Sequence, residues 1–406
     1  MKSFGFVTII LVLAVSSAIL ARLHKPAFEA WDPKTSTLNV TADTFDNYVD
    51  HFDPSNADTF EQRYWFNLDH WDKHAGPIFF VLCGESMGHF PAESSYIMVL
   101  AKEFNAAVVA LEHRYYGHSV PVPDFTIENL QYLSHDQALA DSATFIRWFK
   151  RNITGSLSKV IVIGGSYAGA LSAWMRYKYP HLITGAWSSS GVVNAVLDFY
   201  DFDDQIKKSV QKSGPECEAR IHKIISDTEA LWKKDPWKLR MIHKAPYLEW
   251  DDFMFYFSDI FVETVQYGRR TSLCEFLKTN ENAPDLQEKL ARLAIENRAA
   301  PHTYSFEYIR TLTPDPYNEF RQWTYQFCGS LAYFNTVGHT GEPMRFKDMN
   351  LDYWRRYCTK CFDKLIFPDT FNTNSMFGDT RIAKTVKNVI FTNGGEDPWQ
   401  WATVRS

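Results

Sequence analysis

The residues best suited to chemistry lie in VIVIGGSYAGAL, Val160 to Leu171. Four β-branched residues run into Gly164-Gly165, then Ser166, then a small-residue stretch of helical character. A serine on a sharp strand-to-helix turn is lifted clear of its sheet, and small neighbours let strand and helix pass closely. The usual pattern is Gly-x-Ser-x-Gly; here Ala168 takes the second glycine's place and Gly169 follows. A tight turn without chemistry is the plainer alternative, but a strand before and a helix after make Ser166 a candidate nucleophile. The same turn aims the Tyr167 N–H at a developing oxyanion. A second donor is expected from CGESMGHF, Cys83 to Phe90, where the N–H of Gly84, Glu85 or Ser86 follows an earlier strand.

A triad on such a turn runs serine, acid, histidine along the chain. Asp397, in TNGGEDPW after a late strand, is the expected acid; Glu396 is the weaker neighbour, and a turn aspartate before Pro398 is the bland reading. No histidine follows Asp397: all 13 lie upstream, from His24 to His339. A serine without a base is a poor nucleophile. His113 and His118, in EHRYYGHS after a core strand, are upstream substitutes, though structural or solvent-facing roles suit them better.

The elements that must position these residues alternate. Pro77 to Cys83 (PIFFVLC), Ala106 to Leu111, Val160 to Gly164 and Ile183 to Ser188 read as strands. Ser94 to Phe104, Asp136 to Asn152 and Ala168 to Tyr179 read as helices between them. Continuous apolar strands separated by helices predict a parallel sheet covered on both faces. From Gly191 to about Ser375 the chain reads as a helical insertion rich in Trp, Tyr and Phe. NVIFT, Asn388 to Thr392, reads as a return to the sheet.

At 406 residues, 45% hydrophobic and 16% aromatic, the chain has material for one large α/β domain carrying an insertion, or for two domains. A net charge of −6 gives no footprint for nucleic acid or anionic membrane. The first 21 residues, with Lys2 before the apolar run Phe6 to Val15 and Ser16-Ser17-Ala18 after it, read as a secretory signal peptide. Six cysteines fit that oxidising route; spacing alone leaves 15 pairings open. Cys358-Thr-Lys-Cys361 has no second Cys or His pair near it, so a structural disulfide is expected there and no metal site. Asn39-Val-Thr and Asn152-Ile-Thr are glycosylation acceptors.

Seven segments also carry a family likeness: VDHFDPSNADTFEQRYWFN, GPIFFVLCGES, LEHRYYGHSVP, LQYLSHDQALAD, GGSYAGALSAWMRYKYPHL, WTYQFC and NVIFTNGGEDPW. In this order, across about residues 45 to 400, the chain resembles the serine exopeptidases that include lysosomal Pro-X carboxypeptidase, dipeptidyl-peptidase II and thymus-specific serine protease. It looks most like the last. The resemblance implies an α/β-hydrolase core interrupted by a helical cap, no cofactor, cleavage of peptides next to proline, and a lysosomal or extracellular location. A homodimer is left open. Residue by residue it makes Ser166 the nucleophile and Asp397 the acid, and it pairs Cys217 with Cys274 and Cys328 with Cys358. Cys83 and Cys361 are then unpaired or joined to each other.

The family histidine lies beyond the DPW motif, so the expectation is a core whose C-terminal end is missing from this chain. The expected divisions are signal peptide 1–21, core 22–190, cap 191–375 and core again 376–406. Ser330 stands where relatives carry a glutamate, which bears on recognition by the cap. Trp323 and Trp399 are candidates for an apolar proline pocket. The alternative to a peptidase is an inactive homologue acting as a secreted binding or regulatory protein.

Overall fold

Uninterrupted apolar runs become the inner strands of a seven-stranded sheet, ordered β1-β2-β4-β3-β5-β6-β9. In this computed structural model, residues 32–34, 36–155, 157–297 and 299–405 are described; the signal-peptide segment lies outside them. The strands are β1 (Thr41–Tyr48), β2 (Thr59–Asn67), β3 (Ile78–Leu82), β4 (Ala107–Leu111), β5 (Val160–Gly165), β6 (Gly185–Ser189) and β9 (Val389–Thr392). From β4 to β9 every pairing is parallel, whereas β1 and β2 add an antiparallel margin. That margin breaks the alternation read from the sequence. The β1 stretch TADTFDNY is mostly exposed and polar, so it carries no strand pattern of its own.

Side-chain alternation sends each inner strand into two cores. Ile78, Phe80 and Leu82 of β3 join one apolar cluster, while Phe79 joins the other. Helix α1 (Tyr96–Glu103) covers the second with Ile97, Met98 and Ala101. Helices α2 (His135–Phe149) and α3 (Ser166–Lys178) cover the first. Beneath β4, the fully buried Arg114 donates to both Asp141 oxygens and to the carbonyls of Tyr48, Val49 and Tyr132. Those bonds tie the antiparallel margin to α2.

Between β6 and β9 the chain is mostly helical. Its longer helices are α4 (Tyr200–Gln211), α5 (Pro215–Lys234), α6 (Trp250–Gln266) and α7 (Arg270–Asn280), with the short α8 (Phe320–Gln326) and then α9 (Leu351–Phe362). A two-stranded parallel pair, β7 (Val196–Asp198) and β8 (Ala332–Phe334), lies within this segment. Cys217 bonds Cys274, linking α5 to α7, and Cys328 bonds Cys358 on α9. Cys83 and Cys361 are free thiols. Among the described residues no helix is long and apolar enough to cross a membrane.

Candidate active site

Ser166 stands where β5 ends and α3 begins, exposed to solvent, with φ +57. A left-handed non-glycine residue costs energy, and such strain collects where a side chain must be presented. The neighbours explain why the turn can be so tight. A Cβ on Gly164 would lie 2.0 Å from the Ala168 carbonyl oxygen, and one on Gly169 would lie 2.8 Å from Gly191 Cα and the Ser189 carbonyl oxygen. The Ala168 methyl is buried and lies at ordinary contact distance, 3.5 Å, from where a Cβ on Gly84 would sit. The glycine displaced from 168 is thus needed at 169, where α3 crosses the end of β6.

The N-terminus of α3 has no side-chain cap, so its first-turn N–H groups, Tyr167's among them, have no side-chain acceptor at the cap position next to Ser166. Gly84 brings the loop after β3 against that same turn. Burial, with a smaller contribution from the neighbouring Glu319 charge, pushes the Glu85 carboxyl in this loop up to about 7. The charge of Glu85 is also felt by the buried hydroxyls of Tyr116, Tyr167 and Tyr333. Glu319 precedes α8, and with Trp323 and Gln326 it occupies one face at i, i+4 and i+7. That face meets Tyr167: the rings of Trp323 and Tyr167 lie 5.8 Å apart, and Gln326 Nε2 donates to the Tyr167 hydroxyl at 2.9 Å.

Asp397 follows β9, two strands across from β5. It accepts from the Trp399 N–H at 2.9 Å and from the Ser190 hydroxyl. Burial nevertheless pushes its carboxyl up to about 6. Ser190, at φ +48 just after β6, has its N–H bonded to the Thr392 carbonyl at the end of the neighbouring β9. Glu396 is turned to another purpose. It pairs with Arg270 at 2.8 Å and Lys212 at 3.2 Å, tying the loop to the helical segment. Trp399 packs among Phe199, Phe202 and Tyr333, with its indole N–H donating to Gln266. A cleft of about 600 Å³ opens beside this loop, lined among others by Asn393, Gly395, Trp401 and Arg405; Ser166 does not line it.

His113 is buried and contacts the Tyr167 hydroxyl at 3.2 Å, while His118 is exposed. Among the described residues no histidine is hydrogen-bonded to Ser166 or Asp397, and no group of three or more Cys, His, Asp or Glu could hold a metal ion. Asn39 and Asn152 are exposed. Ser190, Glu319 and the hub at Tyr167 escaped the sequence reading. Tyr167, His113, Trp323 and Ser330 had each been singled out separately, for other roles; Ser330 contacts His135, which is bonded to that hub.

A parallel sheet with a strained, exposed serine at one strand end puts the chain in the α/β-hydrolase class. More narrowly, it belongs to the family described as Serine carboxypeptidase S28, whose profile matches residues 47–406; these are serine peptidases. "Probable serine protease EDA2" of Arabidopsis thaliana is 34% identical over 98% of this chain and 84% of its own length. The human "Lysosomal Pro-X carboxypeptidase" is 28% identical over 94% of this chain and 82% of its own. The human "Thymus-specific serine protease" is 39% identical over 45% and 36% respectively. Among solved structures, the acylaminoacyl peptidase of Pyrococcus horikoshii aligns over 42% of this chain and 25% of its own, at 16% identity and a TM-score of 0.31.

Proposed function

We propose that this chain is a serine exopeptidase that cleaves peptides through an acyl-enzyme on Ser166. The observation that carries the reading is the exposed Ser166 hydroxyl, held in a left-handed turn at an uncapped helix N-terminus. Attack by that hydroxyl on a peptide carbonyl would place the oxyanion against the Tyr167 N–H and an N–H of the Gly84–Glu85 loop. Collapse of the tetrahedral intermediate releases the amine, and water then frees the acyl group from Ser166. Asp397 serves as the acid that orients the base. The base is the one role that the described residues leave unassigned.

Glu85 and Glu319 place two mutually interacting carboxyl groups near the Tyr116 hydroxyl, and Glu85 carries its negative charge once the pH rises past about 7. That favours recognition of a peptide's ammonium end, the dipeptidyl type, over its carboxylate end. Trp323 over Tyr167 offers an apolar wall for a proline ring. A lysosomal or secreted site of action, glycosylation at Asn39 and Asn152 and division into core and cap belong to the same reading. Hydrolysis of Xaa-Pro-anilides with a free and with an acetylated N-terminus tests it, with Ser166→Ala as control. Faster cleavage of the free form is expected; equal or reversed rates contradict the ammonium assignment.

A second reading, an inactive homologue that binds rather than cleaves, is favoured by the lack of any described histidine bonded to Ser166. It requires that no substrate be turned over and that Ser166 resist acylating probes.

A further inference from the structure

Three side chains meet the hydroxyl of Tyr167, the residue after Ser166: Gln326 Nε2 at 2.9 Å, His135 Nδ1 at 2.9 Å and His113 Nε2 at 3.2 Å. All four residues are buried. The contacts continue outward. His113 Nδ1 lies 2.7 Å from the Arg114 carbonyl, and His135 Nε2 lies 3.1 Å from Ser330 Oγ. Ser330 Oγ also lies 2.9 Å from the Gln326 carbonyl, and the Tyr116 hydroxyl donates to Gln326 Oε1.

Hydrogens can be counted around this circuit. A carbonyl only accepts, so His113 Nδ1 carries a hydrogen and the neutral ring leaves Nε2 a bare acceptor. Gln326 receives Tyr116 on its oxygen and therefore donates its N–H to the Tyr167 oxygen. Tyr167 has one hydrogen, and His113 Nε2 needs it. His135 Nδ1 must then donate to the Tyr167 oxygen, which leaves His135 Nε2 bare. Only the Ser330 hydroxyl can supply that nitrogen. This is the one neutral arrangement that satisfies every contact to the two rings, and it turns the single Ser330 hydrogen from the Gln326 carbonyl to His135; meeting that carbonyl contact as well adds a proton and buries a cation. Burial opposes that charge, holding His113 to about 4 and His135 to about 3.

We infer that Ser330 is a positioning residue: through His135 it fixes the hydrogen bonding of the Tyr167 side chain and so holds the Tyr167 N–H beside Ser166. The inference rests on the reading of Ser166 as nucleophile. The Tyr167 ring is clamped at its far end, so a shift there moves the first turn of α3. Displacements of about 1 Å in catalytic groups can cost on the order of a hundredfold in rate.

Two measurements test it. In protein carrying ¹⁵N-labelled histidine, with signals assigned by His113→Gln and His135→Gln, both rings should be neutral Nδ1–H tautomers at pH 6. An Nε2–H or doubly protonated His135 overturns the arrangement. A fluorophosphonate should then label Ser330→Ala roughly tenfold or more slowly than wild type, with Ser330→Thr, which keeps the hydroxyl, restoring the rate. Equal rates for Ser330→Ala and wild type overturn the positioning role. A wild-type chain that never labels contradicts the nucleophile reading instead, and the histidine tautomers decide the proton arrangement on their own.

Discussion

Asp397 shows how the site trades stability for readiness. Its carboxyl is raised from 3.8 to about 6, chiefly by burial, so ionising it costs the folded chain. The sign follows from linkage. Between about pH 4 and pH 6 the folded state holds a proton that the unfolded state has lost, so stability falls as pH rises through that window. Asp397→Asn keeps a side-chain oxygen for the Trp399 N–H and removes the charge. It should raise Tm above pH 6, by the equivalent of about 1–2 kcal/mol after allowance for partial exposure, and change little at pH 4, while Ser166 becomes less reactive. Thermal scans at the two pH values check this; a variant less stable than wild type at pH 7 would count against it. Ser166 was legible because its chemistry is local, written in a dozen consecutive residues. Ser190 was not, because its partner Asp397 lies on another strand end, far along the chain.

The strand–helix turn is the element on which everything else rests. Gly164 has no room for a side chain, since the obstructing atom is the Ala168 backbone oxygen at 2.0 Å. Gly164→Ala should therefore cost roughly 1–3 kcal/mol or more, seen as a lower midpoint in chemical unfolding, and should slow labelling of Ser166. Gly395→Ala is the control: nothing lies within 4 Å of a Cβ there, and the same experiment should register no change. Comparable effects at both positions would dissociate the turn's tightness from its function. The inner strands could be read from sequence because burial on two faces leaves an unbroken apolar run. The outermost strand β1 could not, because an exposed edge strand tolerates Asp, Thr and Asn at most positions. Glu319 is likewise a matter of tertiary placement, since nothing local marks the end of a short helix as a neighbour of Glu85.

Across the whole molecule, the helical segment and the sheet meet at Tyr167, at the Glu396 ion pairs and at the packing of Trp399. The Cys217–Cys274 bond closes a span of 57 residues within that segment. In the chain-entropy account a loop of that length is worth about 4 kcal/mol. Cys217→Ala/Cys274→Ala should accordingly lower Tm markedly and increase proteolysis between α5 and α7, with the sheet surviving longer. Unchanged Tm would mean that the packing of α5 on α7 holds without the bond. The central claim concerns Ser166, and its most direct test is mass spectrometry of the intact, folded chain after treatment with a fluorophosphonate. The account predicts a single adduct, mapped to the peptide containing Ser166 and absent from Ser166→Ala. No adduct on a folded chain, or one placed on another residue, would contradict it.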